Sequence, residues 1–265
     1  NDRFRISGFG TLGLTHAGTK QLGFRKDVTK EAQFGGLLAR IDSVLGVQLD
    51  AKILNRLSAT IQVVVKDRVN NSANKFLEWA YLRYQVTPRF VIRGGRMGVD
   101  WFMLSDHQNV GFAYLWTHPI TEFYAPAIFS HFDGIDLKYT HPLATGQLEF
   151  KIYGGHSGTD GSANGGNFAM RLSPIIGANI AYESEHWKTR VSFVSTRFDK
   201  LKSGLNPFIE RFNDIPTSAW PEAKKVRNQL DDTGKHLHYV SLGAGYDDNS
   251  WQIQSEAAYY STEFF

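Results

Sequence analysis

Charged and polar side chains, many of them basic, alternate with apolar residues in several segments of the chain. Five acidic residues fall on the same face, and the positive excess of this face is larger than the net charge of +3 of the whole chain. Such a face is expected to attract anions, and a solvated face of mixed charge is the alternative. The ten cations are Arg5, Arg40, Lys52, Lys66, Arg83, Lys138, Lys151, Arg171, Lys188 and Arg190, and the acids are Asp42, Asp50, Asp136, Glu149 and Glu256.

Residues suited to covalent or metal chemistry are sparse and poorly spaced. The absence of cysteine excludes disulfides, thiolate metal sites and a Cys nucleophile. His236 and His238 would share a strand face, but no third zinc ligand is identifiable. Residues 155–159 begin like a nucleophile elbow and lack its final glycine, and residues 158–167 lack the regular oxygen spacing of a calcium loop. We therefore predict no catalytic residue, no metal site and no cofactor.

The elements that must position the charged side chains are long β-strands. Odd positions of residues 37–53 are mostly apolar and even positions mostly polar, and this alternation of period two recurs along the chain. Many of these runs exceed the ~5–6 residues of an ordinary globular strand. We expect eleven strands, near residues 3–14, 35–53, 57–67, 76–87, 90–98, 132–141, 146–155, 168–183, 187–198, 236–247 and 250–264.

Short turns and long loops alternate between the predicted strands. The long loops lie near residues 15–34, 68–75, 99–131, 156–167 and 199–235, a rhythm typical of transmembrane β-barrels. Loop 199–235 is predicted to lie outside the cell and to contain a short helix. Ser218 would cap this helix, Pro221 would lie in its first turn and Gly234 would end it.

Two architectures can use a sheet with one apolar and one charged face. A soluble sandwich covers the apolar face with a second sheet, whereas a membrane barrel turns it to lipid and closes on itself. Aromatic residues such as Trp79, Tyr139, Trp187 and Trp251 fall near strand ends, where a barrel has its interfacial girdle, although they could also fill a sandwich core. We predict an all-β, transmembrane antiparallel β-barrel over residues 1–265, with no nucleic acid as partner because no Lys/Arg tract is present.

The number of predicted strands adds an expectation about how many strands the whole barrel has. Single-chain bacterial barrels have an even number of strands, and eleven is odd. We therefore expect the barrel to need further strands at its C-terminal end.

The segment from the end of the fifth predicted strand into the loop that follows is the most distinctive part of the sequence. It reads Gly94-Gly95-Arg96-Met97-Gly98, then Trp101 to Asp106, Val110 to Trp116 and Pro119, and Phe132 to Leu137 follow the loop. This pattern resembles the third strand–loop region of Gram-negative outer-membrane porins, and is most similar to the DcaP-like trimeric porins.

The resemblance implies a sixteen-stranded, trimeric diffusion channel in which loop 99–131 folds into the lumen and narrows it. It places Arg96, Ser105 and Asp106 near the constriction, with Arg93 as a further candidate. A salt bridge at the rim is the alternative role of Arg96. Together with the strand alternation, this gives a predicted pore lining of Arg40, Lys52, Lys66, Arg83, Arg93, Arg96, Ser105, Asp106, Lys138, Lys151, Arg171 and Arg190.

The favoured function is a passive channel of the bacterial outer membrane, not an enzyme, with a mild preference for anions. Its expected partners are the lipid bilayer, lipopolysaccharide, two further copies of the chain, and small hydrophilic solutes. Two alternatives stay open: a soluble all-β carbohydrate-binding module, and an outer-membrane barrel that hydrolyses lipid.

Overall fold

The computed structural model describes residues 3–25, 27–105, 109–111, 120–124, 128–163, 166–202, 209, 211–212, 214–216, 218–231 and 233–263. Its main element is one antiparallel sheet of eleven strands, each paired with the next along the chain. The strands are β1 (Phe4–Thr11), β4 (Val44–Leu54), β5 (Leu57–Lys66), β6 (Leu77–Thr87), β7 (Phe90–Gly98), β8 (His131–Leu143), β9 (Gly146–Ala163), β10 (Gly166–Ser184), β11 (Trp187–Lys202), β12 (His236–Asp247) and β13 (Gln252–Thr262). The prediction of an all-β antiparallel fold is confirmed.

Smaller elements lie in the connections between the long strands. β2 (Thr15–Ala17) and β3 (Gly36–Leu38) form a separate two-stranded sheet, and a 3-10 turn spans Ala73–Lys75. Helix α1 spans Thr121–Tyr124 and helix α2 spans Ala223–Leu230. Glu222 occupies the N-cap position of α2 and makes no side-chain capping bond, so the predicted cap at Ser218 is wrong. No helix among the described residues has the length and apolarity needed to cross a bilayer.

The strands differ in length from the sequence prediction at several places, and two of these differences change a predicted element. The predicted strand 35–53 is divided, because residues 39–43 form a turn between β3 and β4. β9 and β10 extend to Ala163 and Gly166, so most of the predicted loop 156–167 is a long hairpin. In the described residues β1 and β13 do not pair with each other, and the sheet is open.

The two faces of the sheet differ sharply in polarity. On the outward face large apolar side chains are exposed; Leu45 is 59% exposed, Ile135 58% and Ile176 61%. On the inward face polar side chains are buried, and Asp136 and Ser192 are both 0% exposed. Since successive strand residues point to opposite faces, the period-two alternation of the sequence produces this division.

The buried core lies between the inward face and residues 99–105, 123–124 and 128–130, which fold onto it. Trp101 and Phe102 pack on Tyr239 of β12 with ring centroids 5.5 and 5.4 Å apart. Around them the core continues with Met97, Val99, Phe129, Phe132, Tyr153, Leu172, Ile175, Val194, Phe198 and Leu237. The connection between β7 and β8 is therefore packed against the inside of the sheet.

Candidate functional site

The first part of the β7–β8 connection crosses the inward face; residues 99–105 and 109–111 are called the crossing segment below. Its backbone is bound by side chains of the sheet. The carbonyl oxygen of Trp101 accepts hydrogen bonds from Tyr239 Oη at 2.9 Å and Ser241 Oγ at 2.8 Å. The carbonyl oxygen of Phe102 accepts one from Arg190 Nη1 at 2.8 Å. These bonds satisfy backbone acceptors that would otherwise be buried without partners.

The crossing segment spans the space between distant strands. At one end the Met103 amide donates to Glu256 Oε1 on β13 at 2.9 Å, and Tyr124 Oη donates to the other carboxylate oxygen at 2.7 Å. At the other end Lys66 Nζ of β5 donates to Asn109 Oδ1 at 2.6 Å. The segment therefore reaches from β13 to β5 across the concave side of the sheet.

A buried ion-pair network joins the crossing segment to the middle of the sheet. Lys151 of β9 donates to Asp100, and its Nζ also lies 3.3 Å from Asp136 Oδ2. Arg93 of β7 binds Asp136 through Nε at 3.0 Å and Nη2 at 2.5 Å. Asp100 is 4% and Lys151 5% exposed, so each charge needs its partner.

A cavity of about 390 Å³ lies beside this network, between the crossing segment and the sheet. Residues of β1 and of β11 both reach it, which shows that the sheet curves around it. The cations at its wall each have a carboxylate within 4.0 Å: Arg93 with Asp136, Lys151 and Arg190 with Asp100, and Lys138 with Glu149. The lining comprises Ser7, Gly8, Phe9, Gln48, Gln62, Trp79, Arg93, Asp100, Ser105, Asn109, Val110, Lys138, Glu149, Lys151 and Arg190.

A second cavity, of about 340 Å³, lies at the end of the sheet that carries the short turns. Five cations line it and only one carboxylate, that of Asp50. This carboxylate accepts hydrogen bonds from Thr60 Oγ1 at 2.7 Å and Gln48 Nε2 at 2.8 Å. The cations are Arg3, Arg5, Lys52, Arg56 and Arg83, and are called the turn-end cluster below.

Five predicted lining residues, Arg93, Ser105, Lys138, Lys151 and Arg190, meet at the first cavity. Ser105 is buried and its Oγ accepts a hydrogen bond from the Phe102 amide at 2.8 Å, which closes a turn in the crossing segment. Two more, Lys52 and Arg83, belong to the turn-end cluster. Asp106 lies outside the described residues.

Arg40 and Lys66 lie toward the end of the sheet with long loops. Arg40 is in the turn between β3 and β4 rather than on a strand, with Nη1 2.6 Å from Glu31 and 3.4 Å from Asp67. The hydrogen bond to Glu31 raises the pKa of the Arg40 guanidinium. Lys66 Nζ lies 3.7 Å from Glu78, a buried carboxylate that also pairs with Arg68 at 2.9 Å.

Arg96 lies on the outward face, which differs from its predicted position near a constriction. The next residue, Met97, is fully buried in the core, and neighbouring strand residues face opposite ways. Arg96 Nε and Nη2 bind the Asp133 carboxylate at 2.8 and 2.9 Å. Its guanidinium thus forms a salt bridge between β7 and β8 on the outward face, whereas the alternative from sequence was a salt bridge at the rim. The backbone is also unusual here: Gly95 has φ +131° and a Cβ would lie 2.3 Å from the Ala80 carbonyl oxygen.

Arg171 also differs from its predicted place on the inward face. A β-bulge lies between Leu172 and Ile175. These two residues are three positions apart in β10, but their partners are only two positions apart in β9 and in β11. Both Leu172 and Ile175 are buried, so the alternation reverses across the bulge and Arg171 is exposed on the outward side. Reading one period through residues 171–182 therefore gave the wrong face for Arg171 and for Leu172.

Several residues that hold the crossing segment were missed as site residues. Asp100 and Asn109 lie in the loop, where period-two alternation gives no orientation. Tyr239 and Glu78 lie within predicted strands and were not singled out; Glu78 Oε1 accepts a hydrogen bond from Asn109 Nδ2 at 3.3 Å. Glu256 was predicted on the polar face of its strand, beside Gln252 and Gln254, but was not chosen as a site residue. Its bonds to Met103 and Tyr124 could not be inferred, since they depend on the path of the loop.

The histidine pair considered for metal binding lies on the outward face. The rings of His236 and His238 stack with centroids 6.3 Å apart, and His236 Nδ1 is 3.4 Å from Glu263. Within the ranges that the structure describes, no three His, Asp or Glu side chains are arranged to hold a metal ion.

Comparisons with known proteins do not identify this chain. No protein-family model matches the chain, and a search of curated proteins finds no match. Among solved structures, one described as Salmonella typhi OmpF in complex with daunomycin matches over 98% of this chain and 78% of its own. The TM-score is 0.40 and the identity 10%. Similarity at this level carries no argument, so the function must be argued from the geometry described above.

Proposed function

We propose that the chain forms a porin-like β-barrel channel of the bacterial outer membrane through which small hydrophilic solutes diffuse. The observation that carries the proposal is the pair of faces of the sheet. An exposed apolar face across eleven strands is much larger than the patches that soluble monomers show, and lipid is its natural surrounding. The opposite face is polar, charged and concave, as the wall of an aqueous lumen must be.

The connection 99–131 is the proposed constriction. Its crossing segment reaches from β13 to β5 and is held at both ends by side chains of the sheet, which supports a fixed rather than a mobile obstacle. Because the cations beside it are paired with carboxylates, the constriction would act mainly through size. Closure of the barrel to sixteen strands, a homotrimer and contacts with lipopolysaccharide are parts of the same proposal.

A mild anion preference is proposed to reside at the turn-end cluster. There five cations face one carboxylate, whereas the cations of the larger cavity are compensated. The exposed apolar face also weighs against the soluble carbohydrate-binding alternative, which needs that face covered. For a lipid hydrolase, the hydrogen bonds of the described residues place a Ser hydroxyl on a His ring only at Ser130, which lies 3.2 Å from the adjacent His131, while Ser157 Oγ donates to the backbone carbonyl of His131.

Planar-bilayer recording tests the proposal. Purified protein should give stepwise conductance increments, and the reversal potential in a salt gradient should lie toward the anion side. The protein should also fractionate with outer membranes and migrate differently in gels with and without heating. A protein that stays in the soluble fraction and gives no conductance steps would refute the channel.

A further inference from the structure

Positive charge on the inward face is not compensated at the turn-end cluster. Among the described residues, none of its five cations lies within salt-bridge distance of a carboxylate. Arg83 donates to the neutral oxygen of Gln85, and Arg56 Nη1 lies 3.5 Å from the Val86 carbonyl oxygen. Neutral acceptors orient a guanidinium without cancelling its charge.

The single acid of this cavity cannot balance the cluster. The carboxylate of Asp50 is engaged with Thr60 and Gln48, which direct its oxygens along the sheet. Even with its full charge counted, four positive charges remain around a space of about 340 Å³. That space accommodates a small polyatomic anion together with water.

The surrounding groups suit an oxyanion rather than a halide. Four of the five cations are arginines, whose planar guanidinium groups bind two oxygens of a phosphate or carboxylate at once. Ser58 and Gln85 add neutral hydrogen-bonding groups to the lining. The polar atoms therefore present directed donors, and directed donors favour oxygens with lone pairs in defined positions.

We propose that the turn-end cluster binds oxyanions that carry two or more negative charges. This inference rests on the proposed function in that it names the class of solute held at one mouth of the channel. Multiply charged anions should bind most tightly, because the Coulomb attraction of each cation is proportional to the charge of the bound group. A solute held there would be concentrated at the turn end of the lumen, away from the crossing segment.

Calorimetric titration of the detergent-solubilised protein at low ionic strength tests the site. Inorganic phosphate and malonate are the two probes, one for phosphate oxygens and one for carboxylates. The double variant Lys52→Gln/Arg83→Gln should weaken binding by about tenfold or more, since two screened charge contacts are lost. Lys188→Gln is the matched control, because Lys188 is a cation at the same end of the sheet that is already paired with Glu183 at 3.0 Å.

Loss of binding in the double variant with retention in the control supports the site, and the probe that binds identifies the oxygen chemistry. Equal binding in the double variant, or no binding of either probe to the unaltered protein, overturns it. If the double variant fails to fold, the exposed Lys52→Gln change alone must weaken binding. Conductance without anion binding would refute this site only, whereas binding without conductance would refute the channel and leave the site standing.

Discussion

Replacing Asp100 by Asn should release the crossing segment from the sheet. Asp100 is the carboxylate through which the segment meets Lys151, and both are almost fully buried. Breaking a buried pair on one side costs about 3–5 kcal/mol when the remaining charge has no other partner. Lys151 keeps Asp136 at 3.3 Å, so we expect a smaller loss of docking free energy, about 1–3 kcal/mol.

This loss can be measured in two ways. A loss of about 2 kcal/mol raises the undocked-to-docked ratio roughly thirtyfold, so single-channel conductance should rise and become noisier. Chymotrypsin should also cut the connection faster, and it is the suitable protease because residues 99–130 contain many aromatic residues and no Lys or Arg. The matched control is Glu183→Gln, which removes the acid of the exposed pair with Lys188. If conductance and cleavage of the Asp100→Asn variant equal those of the control, the segment is not held by this network.

Three further outcomes test the faces and the anchors. Ile135→Lys puts a charge in the outward apolar band and should reduce insertion into lipid vesicles, at a cost of up to about 2–4 kcal/mol. The control Gln48→Lys puts the same charge on the inward face and should insert normally. Arg83→Ala should move the reversal potential toward the cation side. Arg96→Ala should leave the reversal potential unchanged because Arg96 faces outward. A shift with Arg96→Ala alone would contradict the assigned faces. Tyr239→Phe removes one of two bonds to the Trp101 carbonyl and should lower stability in urea unfolding by about 1 kcal/mol, and no change would mean that this bond is not formed.

Sequence alternation predicted the strands because each strand has a different environment on its two sides. Leu45, Val47, Ile61 and Phe150 were expected on the outward side, and all four are exposed there. The alternation works for such residues because the side-chain period of a strand is fixed at two. It fails where the backbone adds a residue, as at the Ser173–Pro174 bulge, and Arg171 then takes the opposite face.

The site was less predictable because its defining feature is charge pairing between distant residues. The sequence places Lys151 on the polar face and offers Arg93 as a further lining candidate, but it does not show that Asp100 and Asp136 neutralise them. Those partners are separated by 51 and 43 residues along the chain. A count of cations on the inward alternation therefore overstated the positive charge beside the crossing segment, and it gave no reason to single out the turn end.

The same substitution at two lysines of the same face should consequently change different properties of the channel. Lys151→Gln leaves Asp100 without its closest buried cation and should disturb the crossing segment, raising conductance with little change in ion selectivity. Lys52→Gln removes an exposed, uncompensated charge and should shift the reversal potential toward the cation side with unchanged conductance. Bilayer recordings of both variants in the same salt gradient compare them directly. Each change removes one positive charge. Equal shifts in ion selectivity would therefore mean that pairing with carboxylates does not decide which cations attract solutes. The proposed division between a size-limiting segment and a charged mouth would then be wrong.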